Sequence, residues 1–477
     1  MYADIHCHPH FKTFLGSEKE EERKNAWTNL NFDIDFGILD SQSSLSQLVK
    51  GQVKLAVVPL YALENAFARA DLIQLAAGLS QHSKKRFLQK IEREQFGYFE
   101  LMQSDYTHLA ASSDISTDKQ FKLLTSGGQV DLNSPQLQVM LCVEGGHNFY
   151  DDGQHYRQSQ KVIDQLLFFK QPQSPRLLYI TLTHLTHSEF CTHAFGMKML
   201  KSNAFNPQGK GLSSLGRRFI REALRTDTGR RILIDVKHMS LTSRQHYYSL
   251  QQQEFPGVPL IASHMGLTGC SWERKPVCRV TYDVREKCYE AHYFRQPGIL
   301  DTYFNPWTIN LYDEDIAMIL STRGLIGLSL DQRILGCAKP SPELLSPDEY
   351  RAADFTPIAQ PSYHTIRVGD YDDPQEVKAW HLRHLCNHIV HIIKIGLPLV
   401  GERAWESISI GSDFDGLIDP IDSMTNASGY RNLFAGLVEW LPQVALYAGV
   451  DLPPADVQPR VRQIIGENAA KFIRRNF

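Results

Sequence analysis

Short runs of apolar residues, rich in β-branched side chains, recur along the whole chain and are separated by segments of helix or loop length. Each run is too brief for a helix, which indicates strands covered on both faces, as in a parallel sheet. Eight such runs occur, at residues 2–8, 53–61, 139–144, 178–184, 231–238, 258–264, 324–330 and 407–413. Because eight parallel strands joined by crossovers close a barrel, the pattern predicts an α/β fold, the (β/α)8 or TIM barrel.

The segments between the runs show a second periodicity, with apolar residues at intervals of three and four that are typical of amphipathic helices. These segments are 63–96, 216–226, 311–322 and 376–395, and we expect them to surround the barrel. The last part of the chain, about 432–477, is expected to form closing helices in which Pro442, Pro453 and Pro454 mark breaks.

Three spacers are much longer than a strand-to-helix connection needs, at about 147–176, 266–310 and 331–375. Each leaves from the C-terminal end of a predicted strand, where a barrel of this kind has its active site. Long excursions in compact domains are usually lids or binding loops. We therefore predict a single barrel domain over residues 1–477, with three insertions at its C-terminal face.

The composition and charge of the chain indicate which binding partners and which cellular compartment to expect. Of 477 residues, 42% are hydrophobic and 22% charged, a balance typical of folded globular proteins. Lys and Arg number 50 against 53 Asp and Glu, which disfavours nucleic acid as a partner. No apolar run approaches the ~20 residues of a membrane helix, and the N-terminus lacks an export signal, so a cytoplasmic protein is predicted. A homodimer, the commonest assembly, is the default expectation.

The candidate chemistry lies where the predicted strands end. Six of the eight runs end in His, Glu or Asp, namely His6 and His8, Glu144, His184, His238, His264 and Asp413. A single strand-end histidine is more often structural than metal-binding, but six such ends at one barrel mouth indicate a metal site. Imidazole and carboxylate donors suit zinc. Four nearby histidines are expected to be loop or supporting residues: His10, His147, His187 and His193.

Several motifs at these positions resemble those of a known family. In chain order they are SSDI at 112–115, EGGH at 144–147, YITLTH at 179–184, LIDVKHMS at 233–240, ASH at 262–264, GSDFDG at 411–416 and GEN at 466–468. Together they resemble the membrane (renal) dipeptidase family of the amidohydrolase superfamily, from Asp4 to the C-terminus, interrupted by the long insertions. The resemblance implies a (β/α)8 barrel that binds two divalent metal ions, zinc above all, and hydrolyses dipeptides.

The resemblance also implies a role for each matching residue. The metal ligands would be His6 and His8 at one ion, His238 and His264 at the other, and Glu144 as the bridge. Asp413 would transfer the proton of a metal-activated hydroxide to the leaving amine, and His184 would polarise the scissile carbonyl.

Two departures from the family pattern bear on specificity. The family has Asp-x-His-x-Asp on the first strand, whereas this chain has DIHCH at 4–8, so a neutral imidazole at His8 replaces an anionic ligand. The family also binds the substrate carboxylate with the Arg of an Arg-Asn pair, and the best match here is Ile309-Asn310. Asn310 stays a predicted substrate-binding residue, and the candidates to replace the missing Arg are Arg274, Arg279, Arg285, Arg295 and Arg333.

The leading hypothesis is a binuclear metallohydrolase that cleaves an amide bond in a dipeptide or a related small molecule. Because of the two departures, an amidohydrolase acting on another amide, a cyclic amide or a lactone is the first alternative. A catalytically silent member that keeps the barrel and binds metal without turnover is the second.

Overall fold

The computed structural model describes residues 1–15, 23–31, 40–69, 91, 93, 96–150, 159–196, 203–338, 341–359, 371 and 373–477. Its main sheet contains parallel strands in the order of the chain: β1 (Tyr2–Asp4), β2 (Val53–Leu60), β3 (Leu137–Glu144), β4 (Leu177–Thr181), β5 (Leu233–Asp235), β6 (Ile261–Met265), β7 (Leu325–Leu328) and β8 (Ile408–Ile410). The first and last strands meet, since Ile5 N donates to Ile410 O at 2.9 Å and Asp413 N donates to His6 O at 2.9 Å. The predicted (β/α)8 barrel is confirmed.

Six of the eight barrel strands end before the predicted runs do, while β3 ends at Glu144 as predicted and β6 ends one residue later, at Met265. Strand β1 ends at Asp4, two residues before His6, and β8 ends at Ile410, three residues before Asp413. The apolar pattern continues past the last ladder hydrogen bond because the following residues are still buried. Most of the candidate residues therefore lie on the first turns of the loops that leave the strands.

Helices surround the barrel, and three of the predicted segments contain one each. They are Ser214–Leu224, Asp313–Ser321 and Pro374–Val400. Within the fourth predicted segment, 63–96, Asn65–Arg69 is helical, and residues 70–90, 92 and 94–95 lie outside the described residues. Further helices are Leu45–Lys50, Tyr98–Ala111, Ser159–Lys170 and Leu241–Glu254. Among the helices described, none has the length and apolarity needed to cross a membrane.

The long spacers have secondary structure of their own. The first contains the helix Ser159–Lys170, which serves as the crossover between β3 and β4. The second and third combine, because strands Val277–Asp283 and Cys288–Tyr293 pair with each other and Glu343–Leu345 adds to the second of them. The resulting three-stranded antiparallel sheet joins two segments that lie far apart in sequence.

The C-terminal segment forms three helices, Tyr430–Ala448, Pro454–Arg462 and Asn468–Asn476. The expected break at Pro442 is wrong, since Pro442 lies inside the first of them. Pro453 and Pro454 do mark a boundary, because Pro454 begins the second helix, where a missing N–H costs nothing.

The GEN motif at 466–468 closes the bottom of the barrel. A side chain at Gly466 would collide with Met1 O, since a Cβ there would lie 2.7 Å from that oxygen. Asn468 Nδ2 donates to Trp405 O at 2.7 Å and to Ile408 O at 2.9 Å. The motif thus joins β1 to β8 at the end of the barrel opposite the candidate site.

Candidate metal centre

Four histidines predicted as metal ligands converge on the carboxylate of the fifth predicted ligand, Glu144, at the mouth of the barrel. The Oε1 atom of Glu144 lies 3.4 Å from His6 Nε2, 3.2 Å from His238 Nε2 and 3.5 Å from His264 Nε2. The Oε2 atom lies 3.3 Å from His8 Nε2. Their side chains are at most 6% exposed. Glu144 therefore sits between imidazoles from three different strand ends, at separations that a bound cation could bridge.

Asp413 lies at the edge of this cluster and is more accessible to solvent. Its Oδ1 is 3.5 Å from His8 Nε2 and 3.9 Å from His6 Nε2, while Oδ2 is 3.9 Å from His264 Nε2. Its backbone is left-handed, with φ of 62°, and His238 has a φ of 64°. Asp and His are among the residues that tolerate this conformation best, and strain of this kind concentrates at functional sites.

Hydrogen bonds to the other ring nitrogen fix the orientation of two of the imidazoles. His6 Nδ1 lies 2.8 Å from the hydroxyl of Tyr179, and His264 Nδ1 lies 2.8 Å from Ser263 Oγ. The Ser263 hydroxyl in turn donates to Asp235 at 2.5 Å. Such partners fix the ring and leave Nε2 facing the cluster, which is how proteins support metal-bound histidines.

The protonation states of the cluster suit cation binding. Burial lowers the pKa of His238 and of His264 well below the ordinary value, so both are neutral, as a ligand must be. Burial opposes ionisation of Glu144, but His6 and then His184 outweigh it and hold the pKa of that carboxyl well below its usual range. For His6 burial is likewise outweighed, because Glu144 raises the pKa of this imidazole. A cation would therefore compete with a proton at His6.

His184 stands beside this cluster and is held by a carboxylate that the sequence did not indicate. His184 Nδ1 lies 2.9 Å from Glu64 Oε1, and the hydroxyl of Tyr61 donates to Glu64 Oε2. Burial opposes ionisation of Glu64, but His184 and then His147 lower its pKa to about 2. Because a carboxylate accepts but does not donate, the proton lies on Nδ1 of His184. Burial would lower the pKa of His184, but Glu64 and then Glu144 raise it.

Within the described part of the chain, three groups of side chains offer ligand atoms within 4.8 Å of one another: His6, Glu144 and His264; His6, His8 and Asp413; and Glu144, His184 and His238. The groups share members, so the donors form one continuous cluster and not separate sites. Nitrogen and carboxylate donors of this kind match the preferences of zinc and related divalent cations. The residues present thus fit a centre for divalent cations.

A cavity of about 600 Å³, including its mouth, opens onto the cluster. Its walls combine cluster residues with parts of the long spacers: His8, Phe11, Tyr61, Phe67, Glu144, His184, Leu185, Gly196, Lys237, His238, Ile309, Asp331, Arg333, Ile334, Asp413, Gly416, Leu417 and Ile418. Leu185 and Gly196 belong to the connection after β4, which the sequence did not single out as a long excursion.

The two predicted substrate-binding residues of the spacers, Asn310 and Arg333, lie in different surroundings. Asn310 is fully buried behind the wall, where Nδ2 donates to Asn305 O at 2.9 Å and Ile334 O at 3.0 Å, and Oδ1 accepts from Gly266 N at 3.1 Å. With all these bonds made inside the protein, Asn310 is not brought to the cavity. Arg333 does line the cavity, with its side chain 30% exposed.

The four histidines expected to be supporting residues lie outside the cluster. His10 Nε2 pairs with Asp105 at 2.8 Å, His147 Nε2 lies 2.8 Å from Ala62 O, and His193 Nε2 lies 3.2 Å from Phe205 O. His187 is half-exposed beside Glu189. Each has a local partner that accounts for its position.

Solved structures with the same fold include two metallopeptidases and a probable dipeptidase. The first is dipeptidase AC, a metallopeptidase of family M19, with 16% sequence identity and a TM-score of 0.52 over 100% of this chain and 98% of that one. The second is a metallopeptidase from Rhodobacter sphaeroides liganded with a phosphinate mimic of the dipeptide L-Ala-D-Ala, with 16% identity and a TM-score of 0.50 over 100% of this chain and 99% of that one. The third is the probable dipeptidase PvdM from Pseudomonas aeruginosa, with 14% identity and a TM-score of 0.51 over 100% of this chain and 96% of that one. No protein-family model and no curated protein matches the chain. The fold expected from the family resemblance is therefore confirmed.

Proposed function

We propose that this chain is a metal-dependent hydrolase of the membrane dipeptidase type, which cleaves the amide bond of a dipeptide. The observation that carries the proposal is the convergence of four histidine Nε2 atoms on the carboxylate of Glu144 within 3.2–3.5 Å. In this proposal His6, His8, Glu144, His238 and His264 hold two divalent ions, with zinc as the best match to the donors.

The bound ions would supply an acidified water and a polarised carbonyl. The chain's own residues would do the rest. Asp413, the most exposed carboxylate of the cluster at 16%, is placed to take a proton from water and to give it to the departing amine nitrogen as the C–N bond breaks. In its imidazolium form, which Glu64 favours by raising the pKa of this ring, His184 would keep its Nδ1 proton on Glu64 and donate a hydrogen bond from Nε2 to the carbonyl oxygen as negative charge develops on it.

The test is a substrate panel assayed on the zinc-loaded protein. The expected result is hydrolysis of free dipeptides that a chelator abolishes and added zinc restores. N-blocked dipeptides, C-terminal amides, cyclic amides and lactones belong in the same panel. Hydrolysis of a cyclic amide or a lactone, without cleavage of any dipeptide, would show that the proposed substrate class is wrong. Full metal content with no turnover of any substrate would identify a silent member of the family.

Replacing Glu64 by glutamine is expected to lower kcat by about 10-fold to 100-fold, on the scale of losing a supporting partner of a functional histidine, with metal content unchanged. Glu64 holds the proton on Nδ1 of His184 and raises the pKa of that ring. Losing the negative charge lowers the pKa of His184, so the basic limb of the kcat profile should move to lower pH.

The matched control is Tyr61→Phe, which removes the other hydrogen bond to Glu64 and leaves its charge. This variant should keep the wild-type pH profile. If Glu64→Gln changes the melting temperature but not the pH profile, Glu64 has a structural role and does not act through His184.

A further inference from the structure

A buried ammonium group faces the candidate site and makes no direct bond to the residues that the structure describes. Lys237 follows β5 and precedes His238, and its residue is 2% exposed. Its backbone is anchored, since Lys237 N donates to Asp235 Oδ1 at 3.1 Å. Its side chain lines the cavity, and none of the described residues forms a hydrogen bond or an ion pair with its Nζ. The carboxylates of Asp413, Asp331, Glu144 and Asp235 act on this charge only through space, so the three N–H donors of the ammonium stay open to a ligand.

The other cation of the cavity wall is already paired. Arg333 Nε donates to Asp331 Oδ1 at 3.0 Å, and its Nη2 donates to Asp331 Oδ2 at 2.5 Å and to Leu417 O at 3.1 Å. This two-point bond neutralises the guanidinium and fixes its direction. Among the described residues of the wall, Lys237 is thus the cation whose donors stay available to a ligand.

A dipeptide carries a negative C-terminal carboxylate, which a cation of the cavity wall would bind. Its C-terminal carboxylate would enter a cavity already lined by the carboxylates of Glu144, Asp331 and Asp413. Ile309 occupies the cavity wall where the family resemblance led us to expect an arginine. The carboxylate of a bound dipeptide therefore requires a cation from another element.

We propose that Lys237 is the specificity-determining residue that binds the C-terminal carboxylate of the substrate. The assignment rests on the proposed dipeptidase function and deepens it, because it limits the substrate class to molecules with a free carboxylate one residue beyond the scissile amide. The lysine acts as a point charge with three donors, so it selects for the anion without requiring two-point geometry.

The test measures binding by calorimetry, independently of turnover. The probes are a phosphinate mimic of Ala-Ala with a free carboxylate and the same mimic as a C-terminal amide. Both carry the phosphinate charge, so their ratio of dissociation constants isolates the carboxylate. The zinc-loaded wild type should prefer the free carboxylate by about 10-fold to 100-fold, on the scale of a charge-assisted hydrogen bond. Lys237→Met should reduce that preference to within about twofold.

Two variants sharpen the result. Arg333→Met removes a positive charge from the same cavity and should keep the preference, while Lys237→Arg keeps the charge and should retain part of it. The assignment is overturned if the wild type shows no preference, if Lys237→Met retains it, or if Arg333→Met abolishes it. Zinc content and melting temperature of Lys237→Met should match the wild type, which separates loss of recognition from loss of the site.

Hydrolysis of Ala-Ala by the same preparations separates this assignment from the proposed function. A wild type that prefers the free carboxylate through Lys237 but hydrolyses nothing would refute the function and leave the binding role intact. A wild type that hydrolyses dipeptides, with a preference that Lys237→Met leaves unchanged, would refute the role of Lys237 alone.

Discussion

Replacing Asp413 by asparagine is expected to lower kcat for a dipeptide by about 10²-fold to 10⁴-fold, the usual contribution of a positioned acid or base. The substitution keeps the shape of the side chain but removes its capacity to carry a proton. Oδ1 and Oδ2 lie 3.5–3.9 Å from three histidines, further from each than Glu144 lies from the same ring. We therefore expect metal content to stay near that of the wild type, as measured by elemental analysis.

The matched control is Asp419→Asn, the same change at an exposed carboxylate on the same loop. It should leave both kcat and metal content unchanged. If Asp413→Asn lost its metal together with its activity, Asp413 would be a ligand and the proton carrier would have to be another group. An unchanged kcat would remove Asp413 from the mechanism.

Replacing Glu144 by glutamine is expected to lower metal affinity by more than about 100-fold. Loss of a residue that only supports a ligand usually costs about 10-fold to 100-fold, and Glu144 is itself a proposed ligand. Glu144 contacts four histidines, so its charge acts on every part of the cluster. The amide has the same size but neither the charge nor two equivalent oxygens. Competition with a chromogenic chelator would measure the loss, and dipeptide turnover should disappear with the metal.

Glu64→Gln provides the contrast, because it neutralises another buried glutamate beside the same cavity. Glu64 bonds to His184 and Tyr61 and belongs to none of the three candidate metal groups among the described residues. Its metal affinity should stay close to the wild-type value. Equal metal loss in the two variants would show that the charge of the region, and not coordination by Glu144, controls binding.

The candidate site was predictable from the sequence where its chemistry is tied to the strand pattern. His6 and His8 are two residues apart, so both side chains can face one ion, and the structure places their Nε2 atoms 3.2 Å apart. Glu144 closes an apolar strand, so a parallel barrel brings it to the same mouth. Barrel topology determines the position of Glu144, and the two-residue spacing brings His6 and His8 together even though β1 ends before them, at Asp4.

The groups that sequence reasoning missed depend on contacts between distant segments. Glu64 meets His184 across 120 positions, and the one available signal was its place four residues after the end of β2. Lys237 lay inside a recognised motif, but only the tertiary structure shows that its ammonium lines the cavity and bonds to none of the described side chains. Asn310 matched a family position, yet it bonds to the backbone of Gly266, Asn305 and Ile334 inside the wall.

The amino-acid sequence by itself determined the barrel and the identity of its strand-end donors, because both follow from local periodicity and the number of apolar runs. Only the tertiary structure decided which polar side chains are satisfied within the protein and which are left for a ligand. That decision depends on the partner each group meets. Arg333 meets Asp331 two residues away and is neutralised by a direct bond, whereas the ammonium of Lys237 is buried at the cavity and bonds directly to none of the described residues.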